Sequence, residues 1–166
     1  DIVKKVIQLC EKYEKKLYGV VSNMSIAVER RDFLKHFDCF ICNQLEAGML
    51  FMEDYADKSP EELRDILSKR VILGKIPAMI VTMGGNGAVY ADVNGEKGIC
   101  PPQRVRVKDT TGAGDAFCAG VASGLTYGKT LSEAVEIGSR LAASVITSSE
   151  NVCPRFLPEE FGITLD

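Results

Sequence analysis

The sequence predicts an α/β protein with a mainly parallel sheet, and three observations predict it. Helical periodicity alternates along the chain with short apolar runs rich in β-formers, capping signatures mark several helix starts, and a glycine-rich turn joins a late apolar run to a helix of small residues. With 46 % hydrophobic and 26 % charged residues, the chain has the composition of a soluble globular protein with little disorder. Its 166 residues fit one domain spanning 1–166 better than two.

Ile2, Val3, Val6, Ile7, Cys10, Tyr13 and Leu17 recur at helical spacing and form an apolar face that needs something to lie on. Because the chain opens at Asp1 straight into this pattern, a piece of a longer protein is expected. Residues 17–22 read as a buried strand, 28–36 as a short polar helical stretch and 37–42 as a second strand, followed by a helix carrying Glu46, Ala47, Leu50 and Phe51. Ser59-Pro60-Glu61-Glu62 offers a capping hydroxyl, a proline at the first helical position and a glutamate able to reach back, so a helix is expected from there to about residue 73. Residues 77–83 form the next strand, and Gly84-Gly85-Asn86-Gly87 turn the chain into 88–93 as an antiparallel hairpin. Asn94-Gly95 marks a second tight turn. A short strand at 105–108 delivers the chain to the glycine loop, after which a helix carries Phe117, Val121 and Leu125. Thr130-Leu131-Ser132-Glu133 is a further capping box, opening a last helix through about residue 147.

Net charge is only −3, without a run of five like charges, which argues against nucleic acid or an anionic membrane as partner. No apolar stretch reaches the roughly 20 residues of a membrane span, and no signal peptide opens the chain, so a cytoplasmic protein is expected. Six cysteines, at 10, 39, 42, 100, 118 and 153, read as buried reduced thiols. Cys39 and Cys42 form a C-x-x-C, but residues three apart on a strand face opposite ways and do not share a metal easily. Phe33, Phe37, Phe40 and Phe51 read as core, Glu29-Arg30-Arg31-Asp32 as a solvated helix face, and His36 as a surface or capping residue.

The string Asp109-Thr110-Thr111-Gly112-Ala113-Gly114-Asp115 carries the chemistry. Two glycines around one alanine let the backbone turn and leave successive N–H groups open at a helix N-terminus, where the dipole favours an anion. Asp115 falls in the first helical turn, where the same dipole favours its carboxylate. That suits phosphoryl transfer, in which positioning and charge neutralisation dominate and one carboxylate takes the proton of the attacking hydroxyl. An ordinary capped turn is the competing explanation for a lone G-x-G, and the seven-residue string outweighs it.

At this string the chain resembles the PfkB, or ribokinase-like, family of carbohydrate and nucleoside kinases, whose hallmark is D-T-x-G-A-G-D. The resemblance implies a three-layer α/β/α core, Asp115 as catalytic base, and the N–H groups of Gly112, Ala113 and Gly114 as an anion hole. It also implies ATP and Mg2+, and places Asp109 and Thr111 where many relatives hold a monovalent cation such as K+. Asn43-Gln44-Leu45-Glu46 fits the family's N-x-x-E, in which Asn43 supplies an amide and Glu46 a carboxylate suited to metal-bound water. By itself this spacing reads as a helix cap. Thr82-Met83-Gly84-Gly85-Asn86-Gly87 resembles the T-x-G-x-x-G that lines the nucleotide, through Thr82, Gly84 and Gly87; a hairpin turn is the plainer account, and the two are compatible. Ser139 and Ala143 fall where relatives face adenine, Ser139 standing where Asn is common.

The resemblance runs in one order over 17–156, and the family's N-terminal half, with its sugar-binding glycines and lid, has no counterpart here. An ATP-dependent kinase acting on a sugar hydroxyl is therefore expected, with a nucleoside such as pseudouridine as the alternative acceptor and an inert nucleotide-binding fragment or pseudokinase as the alternative to activity. A truncated sheet would expose edges and favour homo-oligomers. A dinucleotide-dependent dehydrogenase fares poorly, because its G-x-G-x-x-G would follow the first strand.

Overall fold

In a computed structural model the described residues are 2–21, 24–148 and 157–164, without the side chain of Ile26. Ser22, Cys153 and Phe156, which figure in the expectations above, lie outside them. The chain forms two compact units, one of residues 1–83 and 89–99, the other of 84–88 and 100–166.

The first unit opens with helix α1 (Ile2–Lys12), followed by strand β1 (Tyr18–Val20), helix α2 (Met24–Glu29) and a 3-10 turn (Arg31–His36). Strand β2 (Cys39–Asn43), helices α3 (Gln44–Phe51) and α4 (Pro60–Gly74), and strands β3 (Ala78–Thr82), β4 (Ala88–Asp92) and β5 (Lys97–Cys100) follow; the end residues Ala88 and Cys100 belong to the second unit. The sheet order is β1-β2-β3-β4-β5, with β1, β2 and β3 parallel. Val93 N–H donates to the Pro77 carbonyl at 3.0 Å, closing β3 and β4 as the expected hairpin.

Alternation along the strands decides what each face meets. Phe40, Cys42, Met79, Val81, Val89 and Ala91 pack in one cluster with Leu50 of α3 and Leu63, Leu67 and Val71 of α4. Their strand neighbours Cys39, Ile41, Ala78, Ile80 and Tyr90 are buried as well, so both faces are covered, as parallel strands require. Full burial of each such aliphatic side chain contributes roughly 1.5–3 kcal/mol. The position of α4 follows from its cap: the Ser59 side chain accepts from Glu62 N–H at 3.2 Å, and Glu62 Oε2 accepts from Ser59 N–H at 2.9 Å.

Several expectations are corrected here. α1 stops at Lys12 rather than reaching Leu17, because Glu14 adopts a left-handed φ of 51° and Lys15 N–H closes back on the Cys10 carbonyl at 2.9 Å. Residues 17–22, expected as a buried strand, give only Tyr18–Val20 at the sheet edge, with Val20 55 % exposed. The stretch 28–36 is not one helix, since Arg30 at φ −118°, ψ 36° separates α2 from the 3-10 turn. Phe33 is half-buried rather than core and lies under the Arg30 guanidinium, 3.8 Å from its ring centroid. Phe40 is buried, while Phe37 and Phe51 pack partly buried against the core. His36 takes a surface role, with Nδ1 2.8 Å from Glu11 Oε1.

In the second unit, α5 (Ala113–Thr126) and α6 (Leu131–Ile146) pack in direct contact. A Cβ on Gly120 would lie 2.7 Å from the Gly138 Cα, so the helices meet backbone to backbone. α6 starts with the expected box, the Thr130 hydroxyl accepting from Glu133 N–H at 3.3 Å and Glu133 Oε2 from Thr130 N–H at 2.8 Å. Residues 105–108 form no strand: charged Arg104, Arg106 and Lys108 alternate with Val105 and Val107, both exposed, and the anchoring bond is Lys108 N–H to the Ile146 carbonyl at 2.8 Å. Among the described residues, no helix is long and apolar enough to cross a membrane.

Candidate active site

The glycine loop is held at both ends. Ile146, at the C-terminal end of α6, presents its carbonyl to Lys108 N–H at 2.8 Å and Asp109 N–H at 3.5 Å. Asp109 Oδ1 then accepts from Thr111 N–H at 2.9 Å and the Thr111 hydroxyl at 2.8 Å, closing a tight Asx turn. The backbone bond from Thr111, with its hydroxyl second, holds the Asp109 carboxyl below the usual carboxylate range.

Gly112 is the residue before α5; its φ of 79° is left-handed, and it has no side chain with which to cap the helix. Ala113 N–H turns back to the Thr110 carbonyl at 3.2 Å, and Ala116 N–H bonds the Gly112 carbonyl at 2.9 Å. Of the three N–H groups expected to gather phosphate, Ala113 is thus engaged within the loop, while those of Gly112 and Gly114, and of Asp115 beyond them, meet no acceptor among the described residues. A Cβ on Gly114 would meet nothing within 4 Å, and its φ is not left-handed, so neither packing nor backbone requires glycine there. Asp115 is exposed on the first turn of α5.

Other expected residues share this second unit. Gly84 takes φ 55° with open space around it, whereas Gly87, at φ 87°, would place a Cβ 2.1 Å from the Cys100 carbonyl, so Gly87 is demanded by backbone packing. The Cys100 thiol is pushed up by burial and partly offset by a hydrogen bond with the Ser139 side chain. Ala143, one turn beyond Ser139 on α6, is buried. Gly87, Cys100 and Ser139 therefore form a contact chain, with Cys100 a link that no local pattern advertised. The Ile146 carbonyl was equally hidden, being a backbone group distant in sequence from the loop it holds.

Asn43, Glu46 and Thr82 belong to the first unit. Asn43 and Thr82 are register partners at the C-terminal ends of β2 and β3, the edge at which open parallel sheets take ligands. The helix-cap account of Asn43 and Glu46 holds in full: Asn43 Oδ1 accepts from Glu46 N–H at 2.9 Å, and Glu46 Oε2 from Asn43 N–H at 2.8 Å. Asn43 Nδ2 and Glu46 Oε1 are left outside the cap. Among the described residues no cluster of three or more His, Cys, Asp or Glu could hold a metal.

The model of the pfkB family of carbohydrate kinases matches residues 1–154. Over 153 residues the chain is 37 % identical to the guanosine-inosine kinase of Exiguobacterium acetylicum, covering 90 % of this chain and 49 % of that protein. The adenosine kinase of Sinorhizobium meliloti superposes with a TM-score of 0.71 at 23 % identity, over 90 % of this chain and 45 % of its own. The ribokinase of Thermotoga maritima gives 0.67 at 21 %, over 95 % and 51 %. The chain spans about half the length of these proteins. The superpositions establish a ribokinase-like fold, and by its sequence the chain belongs to the pfkB family of carbohydrate kinases.

Proposed function

We propose that this chain is a single α/β domain forming the ATP-binding and catalytic-base portion of a kinase that phosphorylates a sugar-type hydroxyl. The observation that carries this is the uncapped start of α5, where the N–H groups of Gly112 and Gly114 are open beside the exposed Asp115 carboxylate. Those donors and the helix dipole draw the γ-phosphoryl oxygens of ATP, with Ala113 as the spacer that keeps them apart. The acceptor oxygen attacks phosphorus while Asp115 takes its proton; the bond to the bridging oxygen breaks, and ADP leaves. Mg2+ would be held through water at Glu46 and would neutralise phosphate charge, with Asn43 beside it. Thr82, Gly84, Ser139 and Ala143 would line the nucleotide, and Asp109 with Thr111 would hold K+.

A nucleoside acceptor is favoured over a free sugar by the 37 % identity to a guanosine-inosine kinase. The test is a phosphorylation panel of inosine, pseudouridine, ribose and fructose with wild type and Asp115→Asn. Turnover is expected to fall by about 10²–10⁴-fold, the usual worth of a general base, with nucleotide affinity retained. Survival of turnover in the variant would remove Asp115 from the mechanism. Nucleotide binding without phosphorylation by wild type would make the chain an inert nucleotide-binding module.

A further inference from the structure

Helix α3 keeps a row of apolar side chains that its unit does not bury. Leu45, Met49 and Met52 follow one another at helical spacing and so share one face; they are 65 %, 48 % and 76 % exposed. Met52 holds its place against backbone preference. At φ 59° and ψ 41° it occupies the left-handed position after a helix, where glycine is the usual residue. Among the described residues the non-glycines with a left-handed φ are Glu14, Met52 and Lys75, and of these Met52 alone is apolar. Its side chain, left in solvent, does not offset that strain by burial.

The chain after α3 folds back so that this face becomes one wall of a cavity of about 320 Å³, a volume suited to a small molecule. The opposite wall is firmly held. A Cβ on Gly48 would lie 2.7 Å from the Glu53 carbonyl, so the returning chain crosses directly on the helix. Glu53 N–H donates to the Gly48 carbonyl at 2.9 Å, and Gln44 Nε2 donates to the Tyr55 carbonyl at 2.6 Å. Polar groups on this wall set the chemistry. Glu53 is ion-paired with Arg70, whereas Asp54 uses Oδ1 to accept from Ala56 N–H at 2.9 Å and its Oδ2 meets no donor among the described residues. Tyr55 also lines the cavity, and its buried hydroxyl has no hydrogen-bond partner among the described residues, a costly state for a polar group.

We propose that this cavity binds a small aromatic amine, its ring against Leu45, Met49 and Met52 and its ammonium at Asp54. Thioether sulfurs make favourable contacts with ring edges, and a carboxylate oxygen without a donor selects a cation over an anion. The whole lining falls within residues 44–56 of the first unit and includes none of the residues assigned above to nucleotide, metal or proton transfer, so the proposal does not depend on the kinase reading.

The test is a titration of the full chain, carrying 13C-labelled methionine methyls, with 2-phenylethylamine, and in parallel with phenylacetate, an anion of the same size. Saturable shifts are expected at Met49 and Met52, while Met79 and Met83, buried in the core, stay unmoved. Phenylacetate should bind about tenfold more weakly. Met52→Gly relaxes the backbone and removes the thioether, so the melting temperature should hold or rise while amine affinity falls about threefold or more. Asp54→Asn keeps the acceptor for Ala56 N–H and removes the charge, and should erase most of the preference for the amine over phenylacetate. A saturating non-hydrolysable ATP analogue should leave amine binding unchanged. Absence of saturable binding, equal affinity for phenylacetate, wild-type affinity in Met52→Gly, an undiminished preference in Asp54→Asn, or displacement of the amine by the ATP analogue would each overturn the proposal.

Discussion

Two kinds of helix start coexist in this chain. α3, α4 and α6 begin with reciprocal boxes, Asn43 with Glu46, Ser59 with Glu62 and Thr130 with Glu133, each closing a backbone donor with a side-chain oxygen. α5 begins with Gly112 in a left-handed turn and no side-chain cap. A cap is worth about 1 kcal/mol, and the sequence supplies one at three other helices. The contrast is that the Gly112 and Gly114 donors at the start of α5 meet no acceptor among the described residues, in the same turn that exposes Asp115. Asn43 stands between the two kinds, fully engaged as a cap yet placed at the C-terminal end of a parallel strand, beside Thr82.

Gly114→Val is the strongest way to break this contrast. Its side chain would enter open space, so melting should move by only a few degrees, but it would shield the open amides. Loss of one charge-assisted hydrogen bond costs about 1.5–3 kcal/mol, so binding of an ATP analogue, followed by calorimetry, should weaken about 10–100-fold. Unchanged affinity would reduce the start of α5 to an ordinary turn. Asn43→Ser separates the two roles of that residue, because serine keeps the cap and removes the amide. Stability should hold while turnover falls about tenfold, and unchanged turnover would leave Asn43 as a cap alone. Thr130→Ala is the control at a capped start: it should cost about 1 kcal/mol, or roughly 2–4 °C in melting temperature, and leave nucleotide affinity untouched.

What the sequence disclosed depended on how local each cause is. The boxes at Ser59 and Thr130 are readable because donor and acceptor lie three residues apart, and the 109–115 loop is readable for the same reason. The edge position of β1 depends on which strands lie beside it, which no local pattern encodes, so its exposure could not be foreseen. β5 escaped notice because it opens with Lys97 and Gly98, a polar and weak strand start, and is brought into place by the turn in which Asp92 N–H bonds the Glu96 carbonyl at 2.8 Å. The 105–108 stretch shows the converse, with strand-like alternation but no ladder. At the site, the grip of the Ile146 carbonyl on Asp109 is a backbone contact without a side-chain signature.

The smallest effect tests whether the turn before α5 is built as firmly as the boxes elsewhere. Hydrogen bonds from Thr111 depress the Asp109 pKa in the folded chain, so the turn contributes stability that is fully present above the unfolded aspartate value of about 3.9 and is lost as pH falls through the folded value. Between pH 5 and 8 the loop should be indifferent to pH on this account. An NMR titration of the Asp109 carboxyl carbon should give a midpoint below about 3.9, with the Thr111 amide shifting alongside it. Thr111→Val removes the hydroxyl and keeps the backbone donor, which is the larger of the two causes. Its midpoint should therefore rise only part of the way back, whereas a full return would place the hold on Asp109 in the side chain and leave the backbone turn slack.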